Sequence, residues 1–179
     1  GDYNNDNYLD LLVTGMNAVI GILMALYERQ RSGRGQFIDI ALYDCGLSLM
    51  HPFAANYFLS GKTPNRVGNA HPNITPYDTF QTATTPIFLA VGNDGQFQKL
   101  CAELGRPEVA AEARFKTNGD RNRHRAELKP ILESLLRAHD CEAIAERLIR
   151  RGVPCGPVRN LPDAGHSAHA GHRGMVVQS

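Results

Sequence analysis

Asp10 stands immediately before an apolar run that opens at Leu11. Aspartate is favoured at a helix N-cap, and the helix N-terminus stabilises its charged carboxylate. A capping carboxylate can also act as a nucleophile or as an acid/base, so the roles are compatible. Further along, Gly68-Asn-Ala-His-Pro72 is a loop in which His71 either approaches a substrate carboxylate or stands in solvent. Arg31 and Arg34 flank Gly33 and suit either a phosphate grip or a plain surface turn. His166, His169 and His172 recur at every third position. On a helix that spacing shares a face and can ligate a metal. Gly165, Gly171 and Gly174 weaken a helix there, so no metal site is expected. Asp39 reads as structural, because alternate strand residues point to opposite faces. Cys45, Cys101, Cys141 and Cys155 form no CxxC, which excludes zinc-ribbon and redox-motif chemistry. The first three lie in apolar helical stretches and read as buried, reduced thiols of a cytosolic protein. Neither a GxGxxG in a Rossmann position nor a P-loop is present, so no nucleotide cofactor is indicated.

The elements that must position these residues follow from the pattern along the chain. Its 179 residues allow one domain, or a small domain plus a fragment of another. Hydrophobic residues make up 42% and charged residues 21%, as in a soluble globular protein. A net charge of +1, with Lys and Arg dispersed, gives no footprint for nucleic acid. The start, rich in Asn and Asp, lacks the basic and apolar regions of a signal peptide. The stretch from Leu11 to Leu26 includes Thr14, Asn17 and two glycines, and Glu28 and Arg29 close it. It is short for a membrane span and reads as a buried helix over Asp10 to Gln30; no membrane partner is expected. Gly15 and Gly21 would let another backbone approach it. A turn at 31–35 leads to a strand over Gln36 to Leu42, then a helix over Asp44 to Ser60, bent by Pro52 and stopped by Gly61. Helix, strand, helix is a piece of an α/β sheet. A long loop over Gly61 to Pro76 follows. Beyond it the pattern predicts a hairpin (Tyr77 to Thr82, Pro86 to Val91) and a helix over Asp94 to Leu104 capped by Asp94. Another helix over Asn118 to Arg137 is kinked at Pro130, with Leu128, Ile131 and Leu135 beneath a solvated charged face. An amphipathic helix over Asp140 to Arg151 has Ile144, Leu148 and Ile149 as its apolar face and Gly152 as its C-cap. A short strand over Cys155 to Val158 comes last. The domain boundary falls in the loop near residues 61–70, separating 1–65 from 66–179.

Arg31-Ser-Gly-Arg-Gly-Gln-Phe-Ile-Asp-Ile-Ala-Leu-Tyr-Asp44 resembles a signature of the CaiB/BaiF family. That family comprises the class III CoA-transferases, formyl-CoA transferase among them, and the related α-methylacyl-CoA racemases. Gly15-Met-Asn-Ala-Val-Ile-Gly-Ile-Leu-Met-Ala-Leu26 looks like the helix leading into that signature. Arg66-Val-Gly-Asn-Ala-His-Pro72, Thr75-Pro-Tyr-Asp-Thr-Phe80 and Leu89-Ala-Val-Gly-Asn-Asp94 continue the pattern. Arg114-Phe115 with Thr117-Asn118, then Gly152-Val-Pro-Cys-Gly-Pro-Val158, complete it in order.

The resemblance implies a central segment of a longer enzyme. Residues 1–65 would be a helix-strand-helix fragment of a Rossmann-like large domain, and 66–179 an α+β small domain. It implies an interlocked homodimer, a cytoplasmic location and no covalently bound cofactor. A coenzyme A thioester and a carboxylic acid would be the substrates. The transferases use an Asp before the buried helix as nucleophile, forming a mixed anhydride and then an aspartyl-CoA thioester; Asp10 is the carboxylate in that neighbourhood. The transferase spacing puts the Asp four residues before the glycine matching Gly15. Here that position is Leu11, and Asp10 stands five before. The longer spacing resembles the racemases, in which the Asp is an acid/base. Gly68, Asn69, Ala70 and His71 occupy the place of the transferases' glycine-rich loop, which contacts substrate and shields the anhydride from water. Three readings follow: a CoA-transferase, an acyl-CoA racemase, or a non-catalytic module that folds and dimerises.

Overall fold

A computed structural model describes the backbone of residues 3–176 and the side chains of residues 11–176. The chain divides into two units, Gly1–Asn65 and Arg66–Ser179.

The first unit opens with a long helix, α1 (Tyr3–Ser32). Arg29 and Arg31 in its last turn complement the carbonyl end of the helix. Gly33 ends it with φ +70° and donates its N–H to the Arg29 carbonyl at 2.8 Å, the geometry that glycine adopts without strain. Because α1 begins at Tyr3, position 10 lies inside the helix and is not its N-cap. The side chain of Asp10 lies outside the described residues. The helix is also not buried. Leu12 is 60% exposed and Met24 67%, with Leu11, Met16, Val19, Ile20 and Leu23 similar. By length and composition Leu11–Ser32 is sufficient to cross a membrane, a property that long core helices share.

The strand expected over Gln36 to Leu42 does not form: residues 34–41 have no regular structure, and Leu42 opens a helix. A strand exists through its hydrogen-bonded neighbour, and no strand is present among the described residues of this unit. The segment instead lays Ile38 and Ile40 against α1 at Gly21. A Cβ there would sit 3.2 Å from Ile38 Cγ2, so the glycine admits side chains rather than a second backbone. The single helix expected beyond it is two: α2 (Leu42–Ser48) and α3 (Phe53–Ser60). Pro52 stands at the N-cap of α3 rather than at a bend, and Gly61 caps its C-terminus with φ +69°.

The second unit holds a three-stranded antiparallel sheet in the order β1-β2-β3. β1 (Tyr77–Phe80) and β2 (Ile87–Ala90) pair with Tyr77 opposite Ala90 and Phe80 opposite Ile87. Asp78, Phe80, Ile87 and Leu89 point inward by strand alternation. α4 (Asp94–Glu103) follows, capped by Asn93 and not by Asp94: the Asn93 side chain accepts the Gln96 N–H at 2.9 Å. The short α5 (Pro107–Ala111) and a 3-10 turn (Ala113–Phe115) come next.

The helix expected over Asn118 to Arg137 is α6 (Asn118–Arg123) and α7 (Arg125–Leu136). The break falls at His124, and α7 runs on through Pro130. A capping box of Thr117 and Asp120 starts α6. The buried stripe of α7 is Leu128, Leu132 and Leu136, one residue in register from the expected Ile131 and Leu135, which are only partly buried. α8 (Cys141–Arg150) buries Ile144, Ala145 and Leu148 and leaves Ile149 exposed. β3 (Cys155–Pro157) closes the sheet beside β2, and α9 (Leu161–Gly165) and α10 (Ala168–His172) follow.

Arg121 is wholly buried among this unit's apolar core. Its Nη2 pairs with Asp94 Oδ1 at 2.7 Å, and its Nε donates to the Thr75 carbonyl at 2.7 Å. Nη1 donates to the Phe115 carbonyl at 3.1 Å, and the guanidinium stacks 4.5 Å from the Phe97 ring centroid. A buried charge is tolerated only when so paired. Arg121→Ala should therefore cost about 3 kcal/mol or more in urea unfolding, because it strands those carbonyls. Asp94→Asn should cost about 1 kcal/mol, since Asp94 is half exposed. A cost below about 1 kcal/mol for Arg121→Ala would remove Arg121 from its central place.

The four cysteines are free thiols. Burial pushes the Cys101 thiol up to about 12 and the Cys155 thiol up to about 11. The thiolate is the reactive form. Iodoacetamide at pH 8 should leave both unmodified in the folded protein and alkylate both in urea, as read by intact mass.

Candidate functional site

The Gly68-Asn-Ala-His-Pro72 loop is not a floating segment. Gly68 turns the chain with φ +64°. The His71 N–H then donates to the Tyr77 carbonyl at 2.8 Å, so the loop lies along the outer edge of β1. Asn69 reaches the same strand, its Nδ2 donating to Thr79 Oγ1 at 3.3 Å. The His71 ring tilts over Tyr77, with centroids 5.2 Å apart. The Asn73 N–H donates to His71 Nδ1 at 3.1 Å. An accepting Nδ1 leaves the ring proton of the neutral form on Nε2.

Helices α6 and α7 supply the other side of the loop. Asn118 Nδ2 donates to the Asn73 carbonyl at 2.9 Å, while its Oδ1 accepts the Thr75 N–H at 3.1 Å. Arg125 Nη2 donates to the His71 carbonyl at 2.6 Å, and its Nε donates to Thr75 Oγ1 at 3.0 Å. Asn122 Oδ1 accepts from both Thr75 Oγ1, at 3.0 Å, and Arg125 Nη2, at 2.5 Å. Burial lowers the Arg125 pKa, with the nearby Asp78 carboxylate opposing the shift. Arginine nevertheless stays charged at any ordinary pH. Asp78 is itself buried and paired, its Oδ2 accepting from Lys129 Nζ at 2.6 Å. The charged face expected to be solvated over 118–137 thus turns Asn118, Asn122 and Arg125 onto the loop instead. The signal that could have found the network is the spacing of Asn118, Asn122 and Arg125, which repeats every three to four residues.

Between Ala70, Asp78, Arg125 and Lys129 lies a cavity of about 10 Å³, room for about one water and no more. The loop is therefore packed down on its own unit and encloses no acyl pocket there.

The structure thus gathers Gly68, Asn69, Ala70 and His71 into one fixed loop of the second unit. Asp10 belongs to the first unit. Past it on α1, the Thr14 hydroxyl is buried with no hydrogen-bond partner. Asn17 Nδ2 contacts Cys45 Sγ at 3.2 Å. Arg34 stands in an exposed turn, its N–H bonded to Ser32 Oγ at 3.3 Å. His169 and His172 lie on α10, and no cluster of three His, Cys, Asp or Glu that could hold a metal ion occurs among the described residues.

Residues 4–179 match CoA-transferase family III. The chain is 34% identical over 168 residues to an acetyl-CoA:oxalate CoA-transferase of Acetobacter aceti, covering 94% of this chain and 43% of that one. It is 37% identical over 166 residues to a succinate–glutarate CoA-transferase of Agrobacterium fabrum, covering 93% and 42%. The chain therefore spans less than half the length of these relatives. Among solved structures, a CaiB/BaiF family protein from Brucella suis is 42% identical and superposes with a TM-score of 0.71, over 92% of this chain and 44% of that one. A hypothetical protein of Mycobacterium tuberculosis, 23% identical with a TM-score of 0.76 over 92% of this chain and 43% of its own, is a likeness of fold alone. The helices, the small three-stranded sheet and the match over almost every residue agree: the chain belongs to CoA-transferase family III.

Proposed function

We propose that this chain is the central portion of an enzyme that moves coenzyme A between short carboxylic acids. The observation that carries the reading is the family match from residue 4 to residue 179, with relatives named for that reaction. Those names support the transferase branch over the racemase branch, despite the spacing of Asp10 from Gly15. On this reading residues 1–65 are part of a Rossmann-like large domain and 66–179 form a small domain. The extended segment 34–41 would find its ladder in a sheet of that large domain. The exposed apolar side chains of α1 would be covered by further sequence or by a second copy in a homodimer, since faces of that size rarely stay wet. The location is cytoplasmic, and neither a metal nor a covalently held cofactor is required.

Asp10 is the proposed nucleophile. Its carboxylate attacks the thioester carbonyl of the acyl-CoA, the C–S bond breaks, and a mixed anhydride forms with CoA thiolate released. The thiolate then attacks the aspartyl carbonyl, freeing the first carboxylic acid and leaving an aspartyl-CoA thioester. The incoming carboxylate repeats the sequence in reverse and departs as the new acyl-CoA, with Asp10 restored. Covalent catalysis splits one difficult transfer into easier steps. Gly68, Asn69, Ala70 and His71 form the proposed substrate loop. Its small residues, Gly68 and Ala70, let a substrate come close to the loop.

Two measurements test this reading. Calorimetric titration of the chain with CoA and acetyl-CoA should show saturable binding. No heat with either ligand would assign the chain to folding or assembly instead of substrate binding. Incubation with acetyl-CoA should also add the mass of CoA less one water, and Asp10→Asn should abolish that adduct. An adduct that survives the substitution would remove Asp10 as nucleophile.

A further inference from the structure

We propose that Arg125 is a positioning residue that sets the conformation of the substrate loop and, through it, the tautomer and orientation of His71. Its planar guanidinium bridges the two ends of the segment that carries the histidine. Nη2 holds the His71 carbonyl at 2.6 Å, and Nε holds Thr75 Oγ1 at 3.0 Å. Between those anchors lies Asn73, whose N–H donates to His71 Nδ1 at 3.1 Å. That bond requires a lone pair on Nδ1, so the neutral ring carries its proton on Nε2.

The bridge is built rather than incidental. Thr75 is 4% exposed, and its hydroxyl donates to Asn122 Oδ1 while accepting from Arg125. Asn122 Oδ1 in turn accepts from Arg125 Nη2, which closes a ring of hydrogen bonds. Arg125 leads α7, and Leu128 and Leu132 root that helix in the core. The loop therefore takes its shape from the packed core and not from its own sequence. A lysine could keep the charge but could not span both anchors, because it has one nitrogen and no fork.

The functional weight of this inference rests on reading the loop as a substrate loop; the geometry does not. The test uses the chain itself. A two-bond proton–nitrogen correlation spectrum should show His71 as the Nε2–H tautomer. In Arg125→Gln and in Arg125→Lys the tautomers should mix. Amide exchange across residues 69–73 should rise about tenfold or more, while the amides of Leu132 and Leu148 keep their protection. If Arg125→Gln lowers core protection as well, Thr75→Val decides, since it removes one anchor and keeps the shape. An unchanged His71 signature and unchanged loop exchange in Thr75→Val and Arg125→Lys overturn the proposal. Acetyl-CoA titration of the same variants separates the two ideas. A changed His71 signature with weaker binding supports both. A changed signature with unaltered binding upholds the positioning role and takes the loop out of the substrate site.

Discussion

A guanidinium with no exposed surface organises the second unit. Arg121 cannot shed its charge, so every donor it carries must find an acceptor inside the protein. The acceptors come from three places far apart in sequence: Thr75 ahead of β1, Phe115 in the 3-10 turn, and Asp94 at the start of α4. The Phe97 ring beneath it supplies its negative face. One side chain thereby fixes where the loop enters the sheet and where α4 lies. It also fixes how α6 is set against both. The apolar core of Phe80, Leu89, Leu100, Leu128 and Leu148 packs around that arrangement.

The order of the candidate loop is a consequence. Arg121 holds the Thr75 carbonyl, while Asn118, Asn122 and Arg125, on neighbouring turns of α6 and α7, hold Thr75 and the residues ahead of it. A loop with small residues at Gly68 and Ala70 would ordinarily be mobile. Here its backbone groups are taken up by rigid helices on one side and by the edge of β1 on the other. Function that depends on a loop gains when the scaffold, rather than the ligand, supplies that order. The bond from the His71 N–H also occupies the Tyr77 carbonyl on the outer edge of β1.

The first unit shows the opposite condition. Its long helix is apolar on most sides, yet those side chains are exposed. Its most β-prone segment has no regular structure and no partner strand among the described residues. Both features are local structure waiting on non-local structure. A helix closes its hydrogen-bond ladder within its own backbone, so α1 needs no neighbour to complete its ladder. A strand requires another strand, so residues 34–41 form none among the described residues. The chain's share of its relatives' length, under half, agrees with that division.

Much of this was legible in the residue pattern, for local reasons. Two short strand-like stretches, Tyr77 to Thr82 and Pro86 to Val91, marked the hairpin, and Asp140 and Gly152 marked the ends of α8. The ordered motifs from Gly15 to Val158 carried the family. Periodicity could not place the buried stripe of α7, because Ile131 and Leu135 satisfy it as well as Leu128, Leu132 and Leu136 do. Asp94 and Asn93 are both good N-caps by type; Asn93 takes the role, and Asp94 pairs with Arg121. The sequence by itself determined α4, α8, the hairpin and the family, since these rest on local propensity and on motifs read in order. Tertiary structure decided that Arg121 is buried and that Arg125 holds the His71 loop. It alone could do so, because a charged side chain enters a core only when acceptors from distant segments converge on it.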